Sequence, residues 1–243
     1  MAGDICNTNV YEADDKATHA TVRAMFEEQI AWAVDEGADF LIAETIDWCG
    51  EAEIALDVMK RTGLPAVVTL SAHRDENLFD GVPVVEACKR LEAAGADVVG
   101  LNCQRGPKTL MPIVRRVREA VSCHVAALPV PYRTTEAEPT FQSLTDRGCN
   151  CIPGGRPFPT ALDPFTCNRY ECAEFARNVS PSTCGTSGSA VALRPITSAR
   201  SPRPSAALCR VVAIRRTCPS TPSSGPMQPF RIATRTAAPK SSL

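Results

Sequence analysis

The stretch Gly95-Ala-Asp-Val-Val-Gly-Leu-Asn-Cys103 decides the fold, because a glycine, a short apolar run and two polar residues follow one another in that order. This order is typical of a helix that ends at a left-handed glycine and leads directly into a buried strand. A related stretch, Glu36-Gly-Ala-Asp-Phe40, lies 58 residues earlier. The repeat predicts that a unit of one strand and one helix recurs along the chain.

Outward from this stretch, short apolar runs alternate with amphipathic segments through residues 1–128. We predict strands over residues 3–6, 39–43, 66–70, 97–101 and 124–128. We predict helices over residues 19–36, 51–61, 83–94 and 108–121, with a further helix over 163–177. A spacing of about 29 residues per unit suits an eight-stranded barrel of about 250 residues. The sequence therefore predicts an α/β fold, a partial (β/α)8 or TIM barrel with about five of the eight strands.

The charges divide the chain into two unlike parts. All 27 Asp and Glu lie in residues 1–178 with 17 of the 26 Lys and Arg, so this part carries a net charge of −10, whereas residues 179–243 carry +9. The second part is rich in Pro, Ser, Thr and Ala and lacks a sustained hydrophobic period, so it offers no core. We predict a folded domain over residues 1–178 and a disordered, low-complexity tail over 179–243.

The cellular compartment follows from cysteine usage and hydropathy. Twelve cysteines in a chain of 243 residues that opens without a signal-peptide pattern favour a reduced, cytoplasmic protein. We expect no membrane partner, because no apolar run reaches about 18 residues. Neither a dinucleotide-binding glycine motif nor a P-loop is present in the sequence.

Polar residues at the predicted strand ends are the candidates for chemistry, since a barrel of this class carries its site at the carboxyl ends of its strands. These residues are Asn7, Glu44, the stretch 71–73, Asn102 and Cys103. Cys103 could act as a soft metal ligand or nucleophile, or fill the core as a small apolar residue. Glu44 could bind a cationic amine, or could be a hydrogen-bonded loop acid.

Other motifs give weaker signals. Cys149-Asn-Cys151 could be half of a metal site, but the second spaced pair that zinc motifs show is missing. His19, His73 and His124 are scattered along the chain, and none is predicted to be a catalytic base. The long loop over residues 129–166 is predicted to lie over the mouth of the barrel, and its Pro153-Gly-Gly155 is a weak candidate for a phosphate site.

Three runs carry a family resemblance: Ala38-Asp-Phe-Leu-Ile-Ala-Glu-Thr45, Gly63-Leu-Pro-Ala-Val-Val-Thr-Leu70 and Gly95-Ala-Asp-Val-Val-Gly-Leu-Asn-Cys103. They resemble the homocysteine S-methyltransferases, especially the betaine–homocysteine branch, and the resemblance covers residues 2–178. It implies zinc-dependent methyl transfer to the thiol of homocysteine, giving methionine. The partners implied are homocysteine and a small methyl donor, either betaine-like or a sulfonium.

The resemblance also assigns residues. In the family, the cysteine after the glycine-x-asparagine element is the first of three zinc thiolates, which here is Cys103. The family's acid that contacts the amine of homocysteine corresponds to Glu44, and we place Asn102 beside it in the substrate site. Zinc is therefore the expected cofactor.

Three departures from the family pattern lead to the expectation of an impaired enzyme. The family begins with two more strand–helix units, and its betaine branch has an aromatic residue where this chain has Thr45. The family's Cys-Cys pair, which supplies the other two zinc ligands, does not occur in this sequence. A shifted reading frame after about residue 178 permits Cys-Cys-Gly across Ser189-Ala-Val191, so we expect residues 179–243 to be out of frame.

Two rival functions stay open at this point. The basic tail could bind nucleic acid or another polyanion, although its arginines are scattered without aromatic residues between them, and we expect no nucleic-acid partner. A different barrel enzyme with a phosphate site is the other rival. A partial barrel also leaves open sheet edges, so we expect a homo-oligomer or an aggregate.

Overall fold

The computed structural model describes residues 1–146, 148 and 152–179, and the backbone of 190–196 and 208–212. The strands that correspond to the predicted ones are β1 (Ala2–Cys6), β2 (Phe40–Ile46), β3 (Ala66–Ser71), β4 (Val98–Asn102) and β5 (His124–Leu128). The helices between them are α1 (Lys16–Asp35), α2 (Cys49–Lys60), α3 (Val84–Ala93) and α4 (Pro107–Ala120). The alternation of strand and helix that the sequence predicts is confirmed.

The five strands form a parallel sheet in which spatial order follows chain order, from β1 to β5. Each connection between neighbours contains one helix, and successive helices contact each other in series. Parallel crossovers share one hand, so a sheet wound in a single direction places its helices on one face. The other face of the sheet is then free of these helices.

The core lies between the helices and the sheet. Alternate strand residues such as Ile5, Ala43, Val68 and Leu101 belong to one large buried cluster with the apolar faces of α1 to α4. A second, small cluster contains Ile42 and Val67 on the opposite face of the sheet. Every residue of β3 is buried, as expected for a central strand that is covered on both sides.

Glycines end two helices as the sequence repeat predicts. Gly37 and Gly95 have φ of 77° and 95°, and each directly follows the C-terminal cap of its helix. An L-residue with a side chain would be strained in this left-handed conformation. The repeat therefore marks the points where α1 and α3 turn back toward the sheet.

The helix predicted over residues 163–177 begins later in the structure. A short 3-10 helix covers Asp163–Phe165, the chain then becomes extended at Thr166, and α5 covers Arg169–Asn178. The restart has a local cause, because the Asn168 side chain accepts hydrogen bonds from the Tyr170 and Glu171 backbone and Glu171 reciprocates in a capping box. The predicted start at Asp163 was therefore wrong by about one and a half helical turns.

The described part of the loop over residues 129–166 contacts the segments at the carboxyl ends of β3 and β4, and its place over the mouth of a barrel stays a prediction. The Phe141 backbone N–H donates to the Gln104 carbonyl at 2.8 Å, and Arg74 Nη2 donates to the Ala137 carbonyl at 3.2 Å. The loop is thus attached to the segments that follow β3 and β4. Cys149 and Cys151 lie outside the described residues.

Two segments of the predicted tail are strands of the described sheet, and the disorder predicted for its other residues stays a prediction. Ala190–Ile196 forms β6, which pairs parallel with β5, and Leu208–Val212 forms β7, which pairs antiparallel with β6. Both segments are rich in Val, Leu or Ile, which suits pairing on an open sheet edge. The rest of the predicted tail beyond residue 179 lies outside the described residues.

The order of the described strands is linear from β1 to β7. Among the described helices, none is long and apolar enough to span a bilayer.

Candidate functional site

The carboxyl ends of β2, β3 and β4 meet at one edge of the sheet. Because the three strands are parallel and adjacent, this edge brings together Glu44 of β2, Ser71 of β3 and Asn102 of β4, with Cys103 directly after Asn102. Ser71 and Asn102 are paired in register. Glu44, Asn102 and Cys103, the three residues predicted for the site, therefore come from neighbouring strands.

A bulge in β2 shapes this edge. The pairing of β2 with β3 shifts between Ala43 and Ile46, and Thr45 has φ of 59°. A β-branched residue is rarely found in the left-handed region, so something must hold Thr45 there. No local pattern in the sequence predicts this bulge.

Asn102 holds the bulge from two strands away. Its Oδ1 accepts a hydrogen bond from the Thr45 backbone N–H at 2.9 Å, and its Nδ2 donates to Thr45 Oγ1 at 2.6 Å. The side chain of Asn102 is 4% exposed, and it reaches across β3 to make these contacts. The arrangement fixes the backbone next to Glu44, which makes Asn102 a positioning residue for that acid.

Glu44 is a half-buried acid without a fixed partner. Within the described residues, its carboxylate has neither a hydrogen bond nor an ion pair. Burial, together with the nearby charge of Asp4, raises the pKa of Glu44. A carboxylate in this situation favours a cationic ligand, because a positive charge would offset both effects.

Cys103 follows β4 in a sharp turn. Cys103 and Gln104 have φ of 58° and 51°, and the Cys103 backbone N–H donates to the Leu128 carbonyl at 3.1 Å. Burial raises the pKa of the Cys103 thiol. A hydrogen bond from the Gln104 backbone lowers this pKa in part, and the charges of Asp47 and Glu44 raise it further. The surroundings of Cys103 are therefore negatively charged and disfavour a free thiolate.

The described residues do not by themselves fit a zinc ion. Among them, no three His, Cys, Asp or Glu side chains converge on a point that could hold a metal. Zinc sites in proteins need three or four such donors, and Cys103 would be one of them. A ligand set that includes Cys103 must therefore draw donors from elsewhere.

Arg105 organises the loop beside Cys103, and sequence reasoning missed it. The residue is 4% exposed, and its guanidinium donates to the backbone carbonyls of Ala72, His73 and Arg74. Burial lowers its pKa, which is the cost of desolvating the guanidinium. Arginine is mostly a surface residue, so the sequence held no signal for this role.

His73 makes a structural contact at the same edge. Its Nε2 lies 2.9 Å from Asp47 Oδ1, and its ring stacks on Phe79 with centroids 4.4 Å apart. His19 stacks on Tyr11, and His124 lies in β5. The absence of a catalytic histidine stays a prediction, because none of these positions tests it.

A cavity of about 570 Å³ opens beside Gln104, the residue that follows Cys103. Its walls include His73, Arg74, Phe79, Gln104 and Gln142. Cavities that bind small molecules have volumes of about 300–1,000 Å³, so this space suits a small ligand. Glu44, Asn102 and Cys103 are not among the residues that line this cavity.

The remaining candidates give no site in the described part of the chain. Asn7 donates to Asn9 Oδ1 at 3.3 Å in a local turn. Pro153–Gly155 forms a short 3-10 turn in which Gly154 and Gly155 have positive φ.

Comparison with known proteins gives independent evidence on the family of this chain. Residues 1–153 match the family model described as homocysteine S-methyltransferase. Over 177 residues, 73% of the chain, the sequence is 32% identical to betaine–homocysteine S-methyltransferase 1 of Danio rerio, of which it covers 42%. It is 29% identical over 181 residues to S-methylmethionine–homocysteine S-methyltransferase BHMT2 of Mus musculus, covering 73% of this chain and 47% of that protein.

The chain thus spans less than half the length of these relatives. Among solved structures, the apo form of the homocysteine methyltransferase MmuM from Escherichia coli aligns with a TM-score of 0.45 and 17% identity, over 51% of this chain and 47% of that one.

Proposed function

Because the chain belongs to the homocysteine S-methyltransferase family, we propose that the edge formed by β2, β3 and β4 binds homocysteine and serves methyl transfer to its thiol, which gives methionine. The observation that supports this most directly is the placement of Glu44 and Cys103 on strands that flank β3. These are the residues assigned from sequence to the amine and to the sulfur side of the substrate.

We further propose that residues 1–178 are part of a (β/α)8 barrel. Strand order that follows chain order, with one helix per connection, is the pattern of such a barrel and differs from the doubly wound sheet, whose order reverses. In a barrel, the sheet face opposite the helices becomes the interior. Glu44 and Cys103 then lie at the mouth.

Glu44 is proposed to bind the ammonium group of homocysteine. Its carboxylate is half-buried and unpaired within the described residues, and an ammonium would replace the water that burial removes. Asn102 holds the adjacent bulge in place. In this proposal Glu44 contacts the substrate, and Asn102 fixes the backbone that positions Glu44. A direct contact of Asn102 with the substrate stays a prediction.

Zinc is the cofactor that the family resemblance implies, with Cys103 as one ligand. The described residues add no second or third donor, so we assign no step to the metal and expect this chain to be impaired. Weak zinc binding is expected, since one thiolate cannot replace a complete ligand set.

The local charge favours a cationic methyl donor. In the reaction, the homocysteine thiol loses its proton, its sulfur forms a bond to the methyl carbon, and the bond from that carbon to the donor nitrogen or sulfur breaks. Burial is the main reason that the pKa of the Cys103 thiol is raised, and the negative charges of Asp47 and Glu44 add to it. The same two negative charges would attract a positively charged donor. The two relatives are named for two donors, betaine and S-methylmethionine, and in both the atom that bears the methyl group carries a positive charge.

A reducing compartment is proposed from the state of the cysteines. The seven cysteines in the described part of the chain are all free thiols. A chain of twelve cysteines in which these seven are free suits the cytoplasm. No observation favours the alternative that the basic tail binds nucleic acid.

Homocysteine binding to the wild-type chain and to Glu44→Gln tests the proposal. Titration calorimetry with L-homocysteine should show at least an approximately tenfold loss of affinity in Glu44→Gln, which corresponds to about 1.4 kcal/mol. Asp4→Asn is the matched control, because it removes the neighbouring negative charge but not the proposed contact. Equal affinity of wild type and Glu44→Gln would contradict the proposal, as would an equal loss in Asp4→Asn.

A further inference from the structure

Two cysteines lie on either side of the cap that starts α5. The Asn168 side chain accepts hydrogen bonds from the backbone N–H groups of Tyr170 and Glu171, at 2.9 and 3.1 Å. The Glu171 carboxylate in turn accepts one from the Asn168 backbone at 2.7 Å. Asn168 is therefore the cap residue, so Cys167 directly precedes the cap and Cys172 is the fourth residue of the helix.

Side chains at these two positions lie next to each other. At a helix start with a capping box, the residue before the cap often packs against the fourth helical residue. The Cys172 backbone N–H donates to the Asn168 carbonyl at 3.1 Å, so Cys172 stacks on the residue that follows Cys167. The fold thus brings together two thiols that are five positions apart in the sequence.

The two thiols differ in their access to solvent and in acidity. Cys172 is exposed, whereas Cys167 is half-buried. Burial raises the pKa of Cys167 to about 11, the charges of Glu171 and Cys172 add to this, and Arg133 opposes it. Because the thiolate is the reactive form, Cys167 reacts slowly at neutral pH. Cys172 is therefore the thiol that meets an oxidant from solution first.

We infer that Cys167 and Cys172 form a reversible disulfide with oxidised glutathione, a small disulfide, as the oxidant. The Cys172 thiolate attacks one sulfur of glutathione disulfide, the S–S bond of that molecule breaks, and one glutathione leaves. The Cys167 thiolate then attacks the Cys172 sulfur of the mixed disulfide and displaces the second glutathione. The protons of the two protein thiols pass to the two glutathione thiols, so the protein is oxidised as glutathione disulfide is reduced.

This disulfide fixes the point where the loop over residues 129–166 joins α5. The Cys167 backbone N–H donates to the Pro131 carbonyl at 2.8 Å. Arg133 donates from Nε and Nη2 to the two carboxylate oxygens of Glu171, at 2.8 and 2.9 Å. Oxidation adds a covalent link to these contacts. In a reducing compartment such a link is transient and responds to the redox state.

Peptide mapping of the full chain tests this pair. The folded protein is equilibrated with reduced and oxidised glutathione, its remaining thiols are blocked with N-ethylmaleimide, and trypsin then cuts between the two cysteines, after Arg169. Mass spectrometry should find peptide 148–169 joined to peptide 170–177, in an amount that rises with oxidised glutathione and vanishes with dithiothreitol. Cys6→Ser removes another exposed thiol and should leave this amount unchanged.

The variant Cys167→Ser identifies the partner of Cys172, because peptide 148–169 also contains Cys149 and Cys151. In this variant the joined peptides should be absent, and Cys172 should carry glutathione instead. Joined peptides that persist in Cys167→Ser, or that never form in the wild type, would overturn the inference.

A comparison of folded and urea-unfolded wild type needs no variant. The equilibrium constant for forming the joined peptides should be at least about tenfold higher in the folded chain, because the cap of α5 gives the two thiols a high effective concentration. Equal constants would show that the start of α5 does not bring Cys167 and Cys172 together, and would overturn the inference as well.

Discussion

Glu44 is a single residue whose proposed role in binding lowers the stability of the folded protein. Burial is the larger reason for its raised pKa, and the charge of Asp4 is the second. Asp4 itself has a pKa raised by burial. The folded protein thus holds protons on these acids more tightly than the unfolded chain does, so ionising them costs stability.

This predicts opposite pH trends for binding and for stability. The contribution of Glu44 to stability is greatest below its ordinary pKa of 4.5 and falls as the pH rises through its higher folded value. Homocysteine affinity should instead fall as the pH drops through that same folded value, because the ammonium needs the ionised carboxylate. Calorimetry across this pH range measures the affinity, and urea unfolding of wild type and Glu44→Gln measures the stability.

The Glu44→Gln variant should lose the part of the pH dependence of unfolding that lies above pH 4.5. An affinity for homocysteine that stays constant until the pH is well below that value would show that Glu44 does not have the raised pKa on which this prediction depends.

At the scale of elements, the site depends on a contact between β2 and β4 that passes over β3. Asn102 makes two hydrogen bonds to Thr45, and Thr45 is held in the left-handed region. The bulge therefore depends on the hydrogen bonds from Asn102, and the side chain of Asn102 is satisfied by the bulge.

The variant Asn102→Ala should lower the free energy of unfolding by about 1–3 kcal/mol, because it leaves a partly buried backbone N–H of Thr45 unpaired. It should also weaken homocysteine binding, since Glu44 adjoins the released bulge. Asn7→Ala is the control, because Asn7 also follows a strand but bonds within its own turn. That control should change the unfolding free energy by at most about 0.5 kcal/mol in urea denaturation. Equal effects of the two substitutions would contradict the positioning role of Asn102.

How far each element could be predicted depended on the range of the interactions that define it. The strands and helices of residues 1–128 follow from local apolar runs and from glycines such as Gly37 and Gly95, and the sequence predicted them well. The bulge at Thr45 and the burial of Arg105 depend on hydrogen-bond partners that are distant in sequence, so no local sequence pattern predicts them. The strands β6 and β7 were missed because a composition without a sustained period favoured disorder over edge pairing.

At the scale of the whole molecule, the described strands form one sheet with β1 at one edge and β7 at the other. The exposed edge of a parallel sheet is a template for pairing with another chain, so self-association stays a prediction. The candidate site lies at the ends of β2 to β4, directly beside the edge strand β1 and farther from β7. Association through β7 therefore leaves the site open.

The measurement that tests the central claim most directly is a titration of the 15N-labelled chain with L-homocysteine, followed by the backbone amide resonances. The account predicts that the amides of Thr45, Asn102 and Cys103, at the ends of β2 and β4, shift together with a single affinity. Amides at the far end of the sheet, such as those of Gly63 and Gly95, should not move. A spectrum that does not change, or shifts that cluster away from the ends of β2 to β4, would contradict the claim that this edge of the sheet is a homocysteine site.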